Sequence, residues 1–139
     1  MTDINYSKLT HYVRFLNALW VKISSTELKK LGLVENERLI LMGLVKLDMQ
    51  TKSQLAESIN IKPQSLSRGI DDLVKKGFIE TQTVSRQIVK LRLTDKGKEV
   101  IAQLEAHNSQ LWKAMTADFS REELAQLTDY LDRMIKNMK

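Results

Sequence analysis

The chain has 139 residues, of which 42% are hydrophobic and 28% are charged, and its formal net charge is +5. This length and this composition predict one compact domain with a core of its own. The absence of cysteine excludes disulfide bonds, thiolate metal sites and any switch that works by thiol oxidation.

The positive charge is concentrated in one stretch of the chain. Between Lys62 and Glu99, nine Lys or Arg residues stand against five Asp or Glu residues, so this stretch carries +4 of the net +5. That balance is compatible with a polyanionic partner, although a basic pI by itself is common among soluble proteins. The first residues lack a basic region followed by an apolar run, and the apolar stretch Leu39 to Val45 is too short to span a bilayer. We therefore expect a cytoplasmic protein without membrane contact.

Helical periodicity dominates the first third of the sequence. Apolar residues recur at steps of three and four from Tyr6 to Lys30, which predicts one long amphipathic helix that ends at Gly32. A second helix is predicted from about Asn36 to Leu47. Its inward residues are Leu39, Ile40, Leu44 and Leu47.

Two short helices follow in close succession. Thr51 and Gln54 have the spacing of a capping box at the start of the first one. Asn60-Ile61-Lys62 interrupts the helical pattern, and Pro63 suits the first position of the next helix, where its missing N–H group costs nothing. This second short helix is predicted to end at Gly77. Its inward residues are Leu66, Ile70, Leu73 and Val74.

After Gly77 the spacing of apolar residues changes from the three to four residues of a helix to the two residues of a strand. Val89, Leu91 and Leu93 alternate with Lys90 and Arg92, as in a half-buried strand. Residues 78–83 are predicted to be the antiparallel partner, with a tight turn near Val84-Ser85-Arg86. The segment is thus expected to form a two-stranded ribbon.

Two further helical stripes complete the chain. The first contains Val100, Ile101, Leu104, Leu111, Trp112 and Met115. A capping box at Ser120 and Glu123 starts the second, whose predicted inward residues are Leu124, Leu127, Leu131, Met134, Ile135 and Met138. The apolar stripes at the two ends exceed what one small domain needs to cover, which favours burial against a second copy. The alternative is that they pack on each other within one subunit.

Two short helices followed at once by a hairpin are typical of a winged helix-turn-helix, a DNA-binding motif. The predicted fold class is therefore mostly α with a small β-hairpin wing, flanked by N- and C-terminal dimerisation helices. Glutamine, serine, arginine and lysine bond bases or phosphates, so we expect double-stranded DNA as the partner. The candidate contacts on the second short helix are Lys62, Gln64, Ser65, Ser67 and Arg68. The alternative is that these are ordinary solvated residues.

The hairpin offers a second set of candidate DNA contacts. An arginine on a narrow turn can enter the minor groove, where negative potential is concentrated, and Arg86 is placed to do so. Lys90 and Arg92 are predicted to project from the outer face of the strand, and we include Lys90 among the contacts. These two residues are equally compatible with an edge strand that charge protects against aggregation.

With these elements in order, the sequence resembles the MarR family of bacterial transcription regulators across nearly its whole length. The resemblance is carried by Gly32-Leu33, Thr51-Lys-Ser-Gln-Leu-Ala56, Ser65-Leu-Ser-Arg68, Lys76-Gly-Phe-Ile79 and Leu93-Thr-Asp-Lys-Gly97. It implies a single domain over residues 1–139, with a winged helix-turn-helix at 33–94 and dimerisation helices at 5–31 and 95–139. It also implies a homodimer on a pseudo-palindromic operator, with repression relieved by a small-molecule effector.

Two positions depart from the family's pattern. Ser85 stands where the family's wing usually has an Asp, so Arg86 lacks its usual acidic partner. Gly69 lies within the recognition helix, where glycine costs up to about 1 kcal/mol relative to Ala. We expect this glycine to permit a close approach of a neighbouring element or of the DNA.

Catalytic groupings are not found in the sequence, and we expect neither an enzyme nor a cofactor. His11 and His107 lie on separate helices without triad or metal-ligand spacing. His11, Trp20 and Trp112 are candidate lining residues of an effector pocket. Two alternatives remain: a winged helix that binds another protein without reading DNA, and a metal-dependent repressor, which the lack of Cys and the scarcity of His disfavour.

Overall fold

A computed structural model describes residues 3–47 and 49–139. Within these residues the chain forms helices and a small sheet in the predicted order. The helices are α1 (Tyr6–Lys30), α2 (Glu35–Val45), α3 (Lys52–Ser58), α4 (Pro63–Lys75), α5 (Asp95–Met115) and α6 (Arg121–Asn137). The strands are β1 (Gln50–Thr51), β2 (Ile79–Ser85) and β3 (Ile88–Leu93). The predicted fold class, mostly α with a small hairpin, is confirmed.

The chain divides into two compact units, residues 1–104 and residues 105–139. The first unit contains the hydrophobic core, to which α2, α4, the sheet and the beginning of α5 contribute most. Its fully buried side chains include Ile40, Leu41, Leu44, Leu55, Leu66, Leu73 and Ile79. The second unit consists of the remainder of α5 and of α6, which has no buried residue. Among the described helices, none combines the length and the apolar character needed to cross a membrane.

Local signals at the helix ends were predicted correctly. Gly32 and Gly77 have φ angles of +73° and +81°, the left-handed region that glycine enters at low cost. The following N–H groups bond back to the helices, Leu33 to the Leu28 carbonyl at 2.9 Å and Phe78 to the Leu73 carbonyl at 3.0 Å. The capping boxes at Thr51 and Ser120 both form. These ends fix the lengths of α1 and α4 and the start of α3 and α6.

The sheet has one strand more than the sequence predicted. Its order is β1-β3-β2, with Gln50 paired to Leu91 and Thr51 to Lys90 on one side of β3. Because β1 has only two residues, it has no alternating pattern to detect. Gln50 is nevertheless buried, and its Nε2 donates to the Gly43 carbonyl at 2.8 Å and to the Leu47 carbonyl at 3.1 Å. This amide holds the end of α2 against the sheet.

The hairpin turn lies later than predicted. β2 continues to Ser85, which pairs with Ile88, so the turn consists of Arg86 and Gln87. The pairing is irregular between Thr83 and Ser85, which makes Val84 the extra residue of a bulge. The bulge explains why strict alternation did not locate the turn.

Several residues predicted to face inward are exposed instead. Leu47 lies beyond Val45, where α2 ends, so helical periodicity does not apply to it. Val74 lies at the margin of the buried stripe of α4, and Val89 lies near the tip of the hairpin, beyond the core. Three predicted inward residues of α6 and its C-terminal cap residue are exposed in the single chain: Leu131, Met134, Ile135 and Met138.

Helix α1 also leaves its apolar stripe uncovered. Leu28, near its C-terminal end, is the buried residue of this helix, and the stripe before it is exposed over more than four turns. The exposed members are Leu9, Tyr12, Val13, Leu16, Leu19 and Ile23. Such a stripe is larger than the isolated apolar residues that are normal on a protein surface.

Candidate nucleic-acid interface

Helix α4 is amphipathic, and its exposed side carries most of the predicted contact residues. Pro63 occupies its first turn after the cap residue Lys62, as the sequence predicted. The buried side of the helix consists of Leu66, Gly69, Ile70 and Leu73. The opposite side of its N-terminal half forms what we call the reading surface: Lys62, Gln64 and Arg68, which are exposed, and Ser65 and Ser67, which are half-buried.

Gly69 allows the Ile40 side chain of α2 to pack directly against the backbone of α4. A Cβ atom built on this glycine would lie 2.5 Å from Cδ1 of Ile40, which is fully buried. This contact therefore accounts for a glycine in the middle of α4. It fixes α4 so that the reading surface faces outward.

A lysine from the preceding helix joins the reading surface. The Nζ atom of Lys52, in the first turn of α3, donates a hydrogen bond to Oγ of Ser67. Lys52 is exposed, so its ammonium group adds positive charge beside α4. Sequence analysis missed this residue because periodicity gives no register between two different helices. Its one signal was its position directly after the predicted cap Thr51.

A polar recess adjoins the beginning of α4. It has a volume of about 560 Å³ and is lined by Asn36, Asn60, Ile61, Lys62 and Ser65. Asn36 comes from the first turn of α2 and Asn60 from the turn between α3 and α4. Amide and hydroxyl groups of this kind bond phosphate oxygens. The two asparagines therefore extend the candidate interface beyond the residues that the sequence indicated.

The basic residues of the hairpin differ in their exposure to solvent. Arg86 is exposed at the turn, whereas Lys90 and Arg92 are half-buried in β3. The Nε atom of Arg92 lies 3.4 Å from Oε1 of Glu80 on the paired strand. At Lys90 and Leu91 the strand β3 has a neighbour on each side, so it is not an edge there. Protection of an edge therefore does not explain Lys90.

The hairpin and α4 flank one cleft. The cleft has a volume of about 310 Å³ and lies between Ser67 and Asp71 of α4 and Thr81 and Val89 of the hairpin. The remaining lining residues are Lys52, Ile70 and Leu91. Hence the reading surface and the hairpin belong to one continuous face of the first unit.

The base of the hairpin is held by a dense set of polar contacts. Thr94 Oγ1 donates to the Gly77 carbonyl at 2.6 Å and accepts from the Gly97 N–H at 3.0 Å. Lys96 Nζ donates to the Lys76 carbonyl at 2.8 Å and lies 4.8 Å from the centre of the Phe78 ring. A Cβ atom on Gly97 would lie 2.1 Å from the Phe78 carbonyl oxygen, so only glycine fits there. These contacts fix the orientation of the hairpin relative to α4.

An ion pair with a buried carboxylate ties the end of α4 to α2. Lys76 Nζ donates to the two carboxylate oxygens of Glu37 at 2.9 Å and 2.7 Å and to the Gly32 carbonyl at 2.8 Å. The same carboxylate accepts the Val34 N–H at 2.9 Å. Glu37 is 2% exposed, so these partners satisfy a charge that water cannot reach.

The predicted effector-pocket residues lie in different parts of the chain. His11 stacks on Phe15 within α1, with ring centres 5.9 Å apart, and Trp20 is half-buried on the same helix. Trp112 lines a groove of about 610 Å³ in the second unit, together with Leu124, Leu127, Leu131 and Ile135. Over the part of the chain that the structure describes, no three His, Asp or Glu side chains are grouped to hold a metal ion.

Comparison with known families and structures identifies the class of protein. Residues 28–94 match the family described as the sugar-specific transcriptional regulator TrmB. A MarR family protein from Bacillus stearothermophilus is similar over 98% of this chain and 99% of its own, with a TM-score of 0.86 at 16% identity. The transcriptional regulator SlyA is similar over 94% and 93% of the two chains, with a TM-score of 0.76 at 27% identity. The chain is a DNA-binding transcriptional regulator with a winged helix fold.

A third solved structure comes from a regulator described by the ligand it senses. The organohalide-sensing transcriptional regulator RdhR-CbdbA1625, solved with bound 2,4-dichlorophenol, is similar over 99% of this chain and 86% of its own. The TM-score is 0.66 and the identity 24%. The winged helix fold that the sequence predicted is thus confirmed.

Proposed function

We propose that this protein is a MarR-type repressor that binds a pseudo-palindromic operator as a homodimer and leaves it when a small molecule binds. One observation carries the proposal. The N-terminal half of α4 is buried on one side and presents base-reading side chains on the other, beside a wing that carries Arg86. A recognition helix enters the major groove in this manner.

The residues of the reading surface divide into base and phosphate contacts by their chemistry. Gln64 can bond adenine through N6 and N7, and Arg68 can bond guanine through O6 and N7. Ser65 and Ser67 are short enough to contact bases or phosphates. Lys52 and Lys62 supply ammonium groups, which position a protein on the backbone but carry no sequence information. Arg86 would enter the minor groove, with Lys90 nearer the backbone.

The exposed apolar stripes support a homodimer. On α1 the stripe runs from Leu9 to Ile23, and the groove between α5 and α6 is lined by Trp112, Leu127, Leu131 and Ile135. Burying apolar area contributes about 25 cal/mol per Å² against the entropy lost on association, so the large apolar area of these stripes favours covering them with a second copy. A two-fold dimer would carry two reading surfaces, which is why a pseudo-palindromic operator follows.

The effector is proposed as a small aromatic molecule. RdhR-CbdbA1625 binds 2,4-dichlorophenol, whereas the TrmB family is described as sugar-specific. We keep His11, Trp20 and Trp112 as candidate contacts of such a ligand, since aromatic side chains can stack on a phenolic ring. Repression would be relieved if the ligand binds the DNA-free form more tightly than the DNA-bound form. The site of action would be the cytoplasm, where the operator lies.

The test is to select bound fragments from the protein's own genome and to align them. The proposal expects one enriched sequence with two inverted half-sites, found upstream of genes. Fragments without a shared sequence, or no enrichment over a control without protein, would contradict it and favour a winged helix that binds another protein.

A further inference from the structure

The tip of the wing is unexpectedly apolar for a DNA contact. Val84 is 54% exposed, Ile88 is 44% exposed and Val89 is 46% exposed, and they precede and follow the Arg86-Gln87 turn in the chain. Val89 faces the cleft beside α4, whereas Ile88 lies on the opposite side of β3, and Val84 is the residue of the bulge. We call Val84, Ile88 and Val89 the apolar collar of the wing.

We infer that the apolar collar contacts the deoxyribose walls of the minor groove while Arg86 enters the groove between them. This inference rests on the proposed function and adds a component of binding that is not electrostatic. The walls of the minor groove are built from sugar C–H groups, which are apolar and lie on both sides of the floor. Proteins that bind this groove frequently use apolar side chains together with arginine.

Three features select DNA as the occupant of this surface. The collar residues flank the turn that carries the exposed Arg86, and the wing from Ile79 to Leu93 carries three basic residues against one acidic residue, which matches a polyanion. The wing is continuous with the reading surface across the cleft between α4 and β3. A two-residue turn is also narrow enough to approach a groove about 6 Å wide.

The branched shape of the collar residues suits such a contact. Valine and isoleucine have few χ1 rotamers, so their side chains lose little freedom on binding. The collar also offers a reason for the missing acidic partner of Arg86. Packing of Val84 and Ile88 against the sugars would hold the turn in place, so the orientation of Arg86 would not depend on a carboxylate at position 85.

The test compares two variants on one duplex that wild-type protein has selected from a random-sequence library. In Val84→Thr/Ile88→Thr, each change keeps the β-branch and the strand propensity but replaces apolar surface by a hydroxyl group. Affinity should fall about three- to tenfold at every salt concentration, because apolar area is lost, with the slope of log affinity against log salt unchanged. In Arg86→Ala, the slope should decrease by about one.

The matched control is Val45→Thr, since Val45 is exposed to the same degree as Ile88 but lies at the end of α2. It should bind as the wild type does. Normal affinity of the collar variant, or a changed slope, would overturn the inference and leave a protein partner as the occupant. If the wild type selects no duplex, the proposed function fails as well.

A second measurement needs no variant and covers the case in which the double variant does not fold. Hydroxyl radicals cut DNA by removing hydrogens from deoxyribose, so a collar packed on the sugars should protect them. The wild type should protect minor-groove sugars on both strands beside each half-site. Protection confined to the major-groove half-sites would overturn the inference while leaving the proposed function intact.

Discussion

Individual residues of α4 were predictable from sequence, whereas their partners were not. The 3.6-residue period placed Leu66, Ile70 and Leu73 inward, and the exposure of Gln64 and Arg68 followed from it. The burial of Glu37 could not be predicted in this way, because a charged residue is almost never fully buried unless it is paired. Its partner Lys76 is 39 residues away, and a pattern within one helix cannot reveal a pair between two.

Arg68→Ala tests the reading surface at the level of one base. The variant should lose about 1–3 kcal/mol of binding free energy and accept other bases at one operator position, because a bidentate contact to guanine is removed. The measurement is the affinity for a panel of operators, each changed at one position. Lys75→Ala, on the last turn of α4, is the control and should keep the wild-type preference. Unchanged affinity and preference in Arg68→Ala would place the reading face elsewhere.

The Glu37–Lys76 pair should respond unequally to removal of its two members. Lys76 is 39% exposed, so its ammonium group can turn to water if Glu37 is changed, whereas Glu37 is 2% exposed. Lys76→Met therefore strands a buried carboxylate and should lower the free energy of unfolding by about 3–5 kcal/mol. Glu37→Gln keeps an acceptor for the Val34 N–H and should cost less, about 1–3 kcal/mol. Urea unfolding measures both, and equal losses would contradict the asymmetry.

Among the helices and strands, the features that the sequence predicted correctly are those set by residues within a few positions of each other. Caps at Thr51 and Ser120 and the glycine at position 77 are signals within a few residues, and each set a helix end correctly. β1 and the position of the hairpin turn depend on pairing with β3, which is set by tertiary contacts. The bulge at Val84 places the turn at Arg86-Gln87 instead of near Val84-Ser85-Arg86. Strict alternation of apolar and polar residues cannot anticipate such a bulge.

The packing of α4 on α2 depends on Gly69 and should be sensitive to one added methyl group. Gly69→Ala gains helix propensity but forces its Cβ against the Ile40 side chain in a filled core, so we expect a net loss of about 1–3 kcal/mol in unfolding free energy. Ile40→Val removes the Cδ1 atom that clashes. In that background, Gly69→Ala should cost less or become stabilising. A similar cost in both backgrounds would show that the contact is not the reason for the glycine.

At the scale of the whole molecule, the sequence indicated that the terminal helices need a partner. Their stripes were recognisable from periodicity alone, but periodicity does not say which surface covers them. In the described chain, the stripe of α1 and the C-terminal half of α6 are exposed, which is the condition expected of half an interface. The second copy remains a proposal that solution measurements can test.

Leu16→Glu tests the homodimer directly. Leu16 is 50% exposed in the middle of the α1 stripe, so a charge there would be buried without a partner in a dimer. Light scattering should give about twice the chain mass of 16.0 kDa for the wild type and the single-chain mass for the variant. Leu47→Glu is the matched control, since Leu47 is 53% exposed in the segment just after α2, and this variant should remain dimeric. A monomeric wild type would contradict the proposed dimer.

The central claim is that this face of the protein binds DNA and discriminates between sequences. The most direct measurement is the affinity for the selected operator and for a shuffled duplex between 50 and 200 mM salt, the range over which about 6–10 phosphate contacts change affinity 10³- to 10⁵-fold. We predict a steep loss of affinity with salt for both duplexes and a preference for the operator throughout. Equal affinity for the two duplexes, or an affinity that salt does not change, would contradict the claim.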